Sequence, residues 1–231
     1  MDLDILCFGP HPDDAEIGMG GTLAKHAAMG HLVGIIDLTR GEMSTNGTPE
    51  ERTEEAGEAG RILGLALREN LDIPDLGIGS SQDHLLKAVL AIRKHRPSVV
   101  ACPYWEDRHP DHVRASCLLT EAVFAAGLRK IHPESDPHRV SRLIHYFINV
   151  EREPSFLVDV SDFYDVKLRS LAAHKSQFGV PRQGKETPLT DPRYLRRVRS
   201  RDQYFGSLCG VQFAEGFVMR DRVILADLTR V

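Results

Sequence analysis

The chain has 231 residues, 42% of them apolar and 27% charged, with a formal net charge of −4. This length suits one domain with a full core, and the composition is that of an ordinary soluble globule. The negative charge excludes general nucleic-acid binding, which needs a basic face, and no apolar run approaches the ~18 residues of a membrane helix.

Residues 3–8 predict the first strand, closing on the apolar run Ile5-Leu6-Cys7-Phe8. Gly9, Pro10 and Pro12 then stop the strand and stiffen a turn that carries His11, Asp13 and Asp14. Glu16 to about Met29 reads as a helix, with Gly18, Gly20 and Gly21 crowded near its start. Those glycines miss the GxGxxG spacing and follow an acidic turn that repels a pyrophosphate, so they read as close packing against a sheet. Leu32–Leu38 is the second strand, and residues 39–47 form a polar loop at its end. Pro49–Leu63 reads as a helix, with proline and glutamates in its first turn. A strand near Arg68–Leu71 and a helix near Gln82–His95 follow. Pro97–Cys102 is the next strand, and Pro110 to about Ala126 the next helix.

The later third alternates less regularly. Leu143–Asn149 and Phe156–Val160 read as strands, Val166–Phe178 as a helix, and residues 179–192 as a Gly- and Pro-rich loop. Arg193–Leu208 is a basic helix, expected to present a solvated face or a subunit contact, and Val211–Met219 closes as a strand. The βαβα alternation predicts an α/β fold: a Rossmann-like, mainly parallel sheet with helices on both faces and a site at the strand carboxyl ends. No repeat or linker divides the chain. Cys7, Cys102, Cys117 and Cys209 occur singly and read as reduced core residues, and the acidic N-terminus shows no signal peptide, so a cytoplasmic protein is expected.

The chemistry gathers at two turns. Each follows an apolar run, and each contains His-Pro-Asp: residues 11–13, and His109-Pro110-Asp111 followed by His112. Helix capping by Asp13 or Asp14 would account for an acid there, but not for the histidine or the prolines. Two adjacent carboxylates need charge balance, which a divalent cation supplies. His11, Asp14 and His112 form a nitrogen-and-oxygen donor set suited to one Zn²⁺ with an open position for water. The same set binds Fe(II) in oxygenases, whose sites sit in β-barrels. Asp13 is left to act as general base, and His109 to stabilise an oxyanion or protonate a leaving amine. Asp111 is placed to hold the His109 ring. These parts specify metal-assisted hydrolysis of an amide or ester.

Pro10-His11-Pro12-Asp13-Asp14-Ala15-Glu16 and His109-Pro110-Asp111-His112 resemble the PIG-L/LmbE-like deacetylases. The resemblance continues through Thr39-Arg40-Gly41-Glu42, His174-Lys175-Ser176-Gln177 and Ala214-Glu215-Gly216-Phe217. The stretch from Pro103 to Arg108 is most similar to the branch that deacetylates N-acetylglucosaminyl-malate in bacillithiol biosynthesis. The resemblance implies zinc on His11, Asp14 and His112, with Asp13 as base, His109 stabilising the intermediate and Asp111 behind it. It implies an amino-sugar conjugate as substrate, contacted by Arg52 and by a tyrosine matched to Tyr194. Glu42 and Arg108 are further substrate-binding candidates. Arg108 could instead pair with Glu106 or Asp107. Relatives of that branch form hexamers, often as trimers of dimers, so the resemblance implies a homo-oligomer. A chitobiose-type deacetylase, a thiol-conjugate amidase and a non-catalytic metal-dependent sugar-binding protein are the competing readings.

Overall fold

A computed structural model describes residues 1–179, 185–222 and 224. The predicted loop at 179–192 therefore lies partly outside the described residues.

Five strands run parallel: β1 (Ile5–Gly9), β2 (Val33–Asp37), β3 (Leu67–Asn70), β4 (Val99–Pro103) and β5 (Arg142–Tyr146). β7 (Ala214–Val218) pairs antiparallel with both β5 and β6 (Phe156–Asp159), giving one sheet in the order β3-β2-β1-β4-β5-β7-β6. β1, β2 and four of the five residues of β4 are buried throughout, as expected of parallel strands covered on both faces. One face packs against α3 (Gln82–His95) and α4 (Pro110–Ala126) through Val89, Ile92, Leu118 and Leu119. The other carries α1 (Asp14–Ala28), α2 (Pro49–Leu63), α5 (Tyr164–Ala173) and α7 (Pro192–Cys209), with Ile17, Leu23, Leu63, Leu171 and Val198 in its core. The expected architecture is present, with an antiparallel strand added near one edge.

Four local expectations change. α1 starts at Asp14, two residues earlier than expected, and departs from helical geometry at Met19 (φ −148°, ψ 25°). The helix expected over Val166–Phe178 divides at His174 (φ −78°, ψ 64°) into α5 and the short α6 (Lys175–Phe178). The basic helix is not simply a solvated face, because Arg201 is buried and Arg197 donates to the Asn149 carbonyl oxygen at 2.6 Å. Cys7 and Cys102 are core residues, whereas Cys117 and Cys209 are exposed, and all four are free thiols. No helix among the described residues is long and apolar enough to cross a membrane.

The strand order reverses between β1 and β4, the switch point where ligands bind in open α/β sheets. The two His-Pro-Asp turns follow these two strands. The glycines after the first turn do allow close packing: a Cβ on Gly18 would stand 2.1 Å from the Tyr146 ring.

Candidate active site

A pocket of about 330 Å³ opens at this switch point. His11, Asp13 and Asp14 line it from the β1 turn, and Arg108, His109 and His112 from the β4 turn. Its walls include Met43–Thr45 from the loop after β2, Asp75 and Leu76 from the loop after β3, and Asn149 and Tyr194 from the C-terminal half.

The predicted ligands converge. Asp14 Oδ2 lies 3.0 Å from His11 Nδ1 and 3.3 Å from His112 Nε2. One ligating atom from each of the three residues falls within 4.8 Å of the others, and all three residues are buried. Burial opposes charge on both histidines. Bonds to Asp111, Asp14 and Asp75 nevertheless hold His11 well above the usual imidazole range, and Asp14 and Asp107 lift His112 to about 9. Burial likewise opposes ionised Asp14, yet His112 and His11 hold it well below the usual carboxylate range. The cluster thus demands positive charge, and two nitrogens with one carboxylate oxygen suit a divalent metal such as zinc.

Asp13 occupies the N-cap position of α1 with φ 131°, a conformation costly for a residue with a side chain. It makes no side-chain cap bond. Its Oδ2 instead accepts from Arg52 Nη2 at 3.2 Å. Burial raises Asp13 to about 6, with Arg52 pulling it down and Asp14 pushing it up. A carboxylate tuned towards neutral pH is suited to accept a proton.

Arg52, which the resemblance placed against the substrate, is held by the protein itself. Besides Asp13, Nη2 donates to the Pro12 carbonyl oxygen at 2.6 Å and Nη1 donates to that of Gly41 at 3.2 Å. Arg52 borders the pocket but is only 3% exposed, and its terminal nitrogens hold the β1 turn. Arg108 is exposed at the pocket and has no ion pair among the described residues. The alternative pairings do not form: Asp107 bonds to the His109 N–H and to Asn149, while Glu106 takes Arg152.

His109 is the N-cap of α4, and its Nδ1 accepts from the Asp111 N–H at 3.2 Å. Burial and the nearby His112 and His11 rings lower its pKa. A neutral ring accepting at Nδ1 carries its proton on Nε2, leaving that N–H available as a donor at the pocket. The Asp111 side chain does not hold His109. Positions two apart at a helix start diverge around the axis. Asp111 is fully buried, accepts from the Leu76 N–H at 2.7 Å and lies 3.6 Å from His11 Nε2. It therefore stands behind His11. Glu42 also moves out of the expected set, since Gly41 (φ 64°) turns the chain and Glu42 Oε1 accepts from the Asp75 N–H at 2.7 Å. Tyr194 does reach the pocket, with its hydroxyl 3.3 Å from Asn149 Oδ1.

Three functional candidates escape a motif reading. Asp75 Oδ1 is 3.2 Å from His11 Nε2, and Asp107 Oδ1 is 3.2 Å from His112 Nδ1. A carboxylate on the far ring nitrogen fixes the tautomer and leaves the near nitrogen free to ligate. Asn149 bridges Asp107 and Tyr194. Asp75 had a usable signal, because Pro74-Asp75 repeats the Pro-Asp pattern after another strand. Asp107 was hidden in a charge run, and Asn149 carried no signal.

A profile of the PIG-L family, described as GlcNAc-PI de-N-acetylase, matches residues 6–123. The diacetylchitobiose deacetylase of Thermococcus kodakarensis is 35% identical over 227 residues, spanning 92% of this chain and 81% of that protein. This chain belongs to the PIG-L family. The PIG-L match takes in both His-Pro-Asp turns. Among solved structures, the conserved protein TT1542 from Thermus thermophilus is similar over 99% of this chain and 100% of its own, with TM-score 0.90 and 44% identity. The inhibitor-bound N,N'-diacetylchitobiose deacetylase from Pyrococcus horikoshii has TM-score 0.81 and 27% identity, covering 94% of this chain and 83% of that one.

Proposed function

We propose that this PIG-L protein is a zinc-dependent hydrolase that removes the acetyl group from an N-acetylglucosamine-containing sugar of the diacetylchitobiose type. The observation that carries this reading is the convergence of His11, Asp14 and His112 within 4.8 Å, beside a separate carboxylate on Asp13. Membership of the family and the named deacetylases among its relatives support the reaction class.

Zinc held by His11, Asp14 and His112 would polarise the amide carbonyl and bring a bound water's pKa to about 7. Asp13, oriented by Arg52, accepts a proton as water adds to the carbonyl carbon. The His109 Nε2–H donates to the oxygen on which negative charge develops, and a neutral imidazole does this without giving up its proton. Cleavage of the C–N bond then releases acetate, and the amine takes up the proton that Asp13 accepted. Asp75 and Asp111 behind His11, and Asp107 behind His112, hold the two rings in place.

Substrate choice rests on the pocket wall. The malate glycoside implied by the sequence resemblance has less support, because Arg52 is committed to the β1 turn and the named relatives include diacetylchitobiose deacetylases. Arg108, exposed at the pocket and without an ion pair among the described residues, keeps an anionic aglycone as a second reading. Acetate release from diacetylchitobiose, free N-acetylglucosamine and the malate glycoside separates these readings. Diacetylchitobiose should give the highest kcat/KM. A clear preference for the malate glycoside would favour the second reading, and no acetate from any zinc-loaded reaction would refute the deacetylase reading.

A further inference from the structure

The chemistry above leaves two features unused: the glycine-rich start of α1 and the buried acid of β7. They meet inside the protein. In an unbroken helix the Gly21 N–H would donate to the Ile17 carbonyl. Around the break at Met19 each of these groups has an outside partner. Gly21 N–H donates to Glu215 Oε1 at 3.0 Å, and Thr22 N–H to Glu215 Oε2 at 2.7 Å. Arg201 Nη2 donates to the Ile17 carbonyl oxygen at 2.7 Å. A carboxylate from β7 thus caps the start of the helix's second part, and a guanidinium from α7 caps the end of its first.

Lys167 of α5 ties the two caps together. Its Nζ lies 2.7 Å from Glu215 Oε1 and 2.7 Å from Asp202 Oδ2, and Asp202 Oδ1 accepts from Arg201 Nε at 3.0 Å. These four charged residues are at most 8% exposed. The glycines make room for this arrangement: a Cβ on Gly21 would stand 2.8 Å from Val160 Cβ, and one on Gly20 would stand 3.2 Å from Lys167 Cγ.

Stability alone does not call for four buried charges, because apolar groups of equal volume often serve as well. What the network specifies is a conformation. With Glu215 and Arg201 in place, the broken helix leaves neither Gly21 N–H nor Ile17 C=O as a buried orphan. The short first part of α1 carries Asp14 at its start and Asp13 as its N-cap. We infer that Glu215, assisted by Arg201, is a positioning residue that sets where Asp13 and Asp14 stand in the pocket. The inference rests on the reading that these two carboxylates serve the reaction.

Glu215→Gln keeps the shape of the side chain but turns an amide NH₂ towards a backbone N–H. In the zinc-loaded, folded variant kcat should fall about 10- to 100-fold, since small misplacements of reacting groups cost this much. Zinc affinity should fall by about tenfold or more, while KM stays within about twofold. Arg201→Lys keeps the charge beside Asp202 but breaks the guanidinium fork. Measured in parallel, it should show the same pattern and keeps the test open if the first variant does not fold. A lowered melting temperature with kcat per folded molecule and zinc affinity unchanged would overturn the inference. Asp13→Asn, assayed alongside, separates the two ideas. If it is inactive while Glu215→Gln is fully active, only the positioning role is lost. If it is as active as the parent, the underlying reading fails.

Discussion

The two His-Pro-Asp turns spell the same words and do different work. In the first, the motif precedes its helix: α1 begins at Asp14, after the motif has ended. In the second, the motif is the helix start, with His109 as N-cap and Pro110 as the first helical residue. That shift of frame decides every role. His11 stands against Asp14 and His112 as a candidate ligand, whereas His109 stands beside them with Nδ1 tied to its own helix. Asp13 faces the pocket in a strained conformation held by Arg52, whereas Asp111 is buried behind His11. A motif therefore names the residues, and its position relative to the helix start assigns them.

The largest effect should come from the two residues that end each stretch. Asp14→Ala or His112→Ala should lose bound zinc and about 10³-fold or more in activity, since the metal supplies several kcal/mol of stabilisation. Elemental analysis of parent and variant checks this, and chelation of the parent followed by zinc should remove and restore turnover. Metal content no higher in the parent than in His112→Ala would contradict the ligand assignment.

The middle histidine and acid sharpen the contrast. His109→Ala should lower kcat about 10²- to 10³-fold, the usual cost of an oxyanion donor, while leaving zinc affinity close to the parent's. Asp111→Asn should do the reverse, weakening zinc about 10- to 100-fold through His11. If Asp111→Asn instead reproduces the His109→Ala pattern with zinc intact, the two turns work alike and the contrast is wrong.

Most of the fold was legible because its signals are local. Buried parallel strands read as apolar runs, and α2 and α4 opened with proline where a helix start tolerates it. The convergence of the three candidate ligands was legible because they share two short turns. The supporting groups were not. Asp111 and His109 are close in sequence, yet their side chains part at the helix start. Arg52 was expected to contact the substrate until its partners, two backbone carbonyls and Asp13, were in place. The Met19 break depends on Glu215, 194 positions away from Gly21, and no periodicity in α1 reports such a partner.

The smallest effect lies at the rim. Arg108→Ala should raise KM by about tenfold with kcat little changed, as expected when a charged hydrogen bond to the substrate is lost. Steady-state kinetics on diacetylchitobiose and on the malate glycoside would test this, with the larger change on the anionic substrate. An unchanged KM for both would remove Arg108 from the substrate site.

The difference between the turns rests most on Asp13, the acid that the first turn turns to the pocket and the second buries. The decisive measurement is acetate release from diacetylchitobiose by parent and Asp13→Asn at matched zinc content. Asparagine keeps the shape but cannot take the proton, so kcat should drop about 10²- to 10⁴-fold with zinc retained. Turnover within about threefold of the parent would contradict the role of Asp13 as the base.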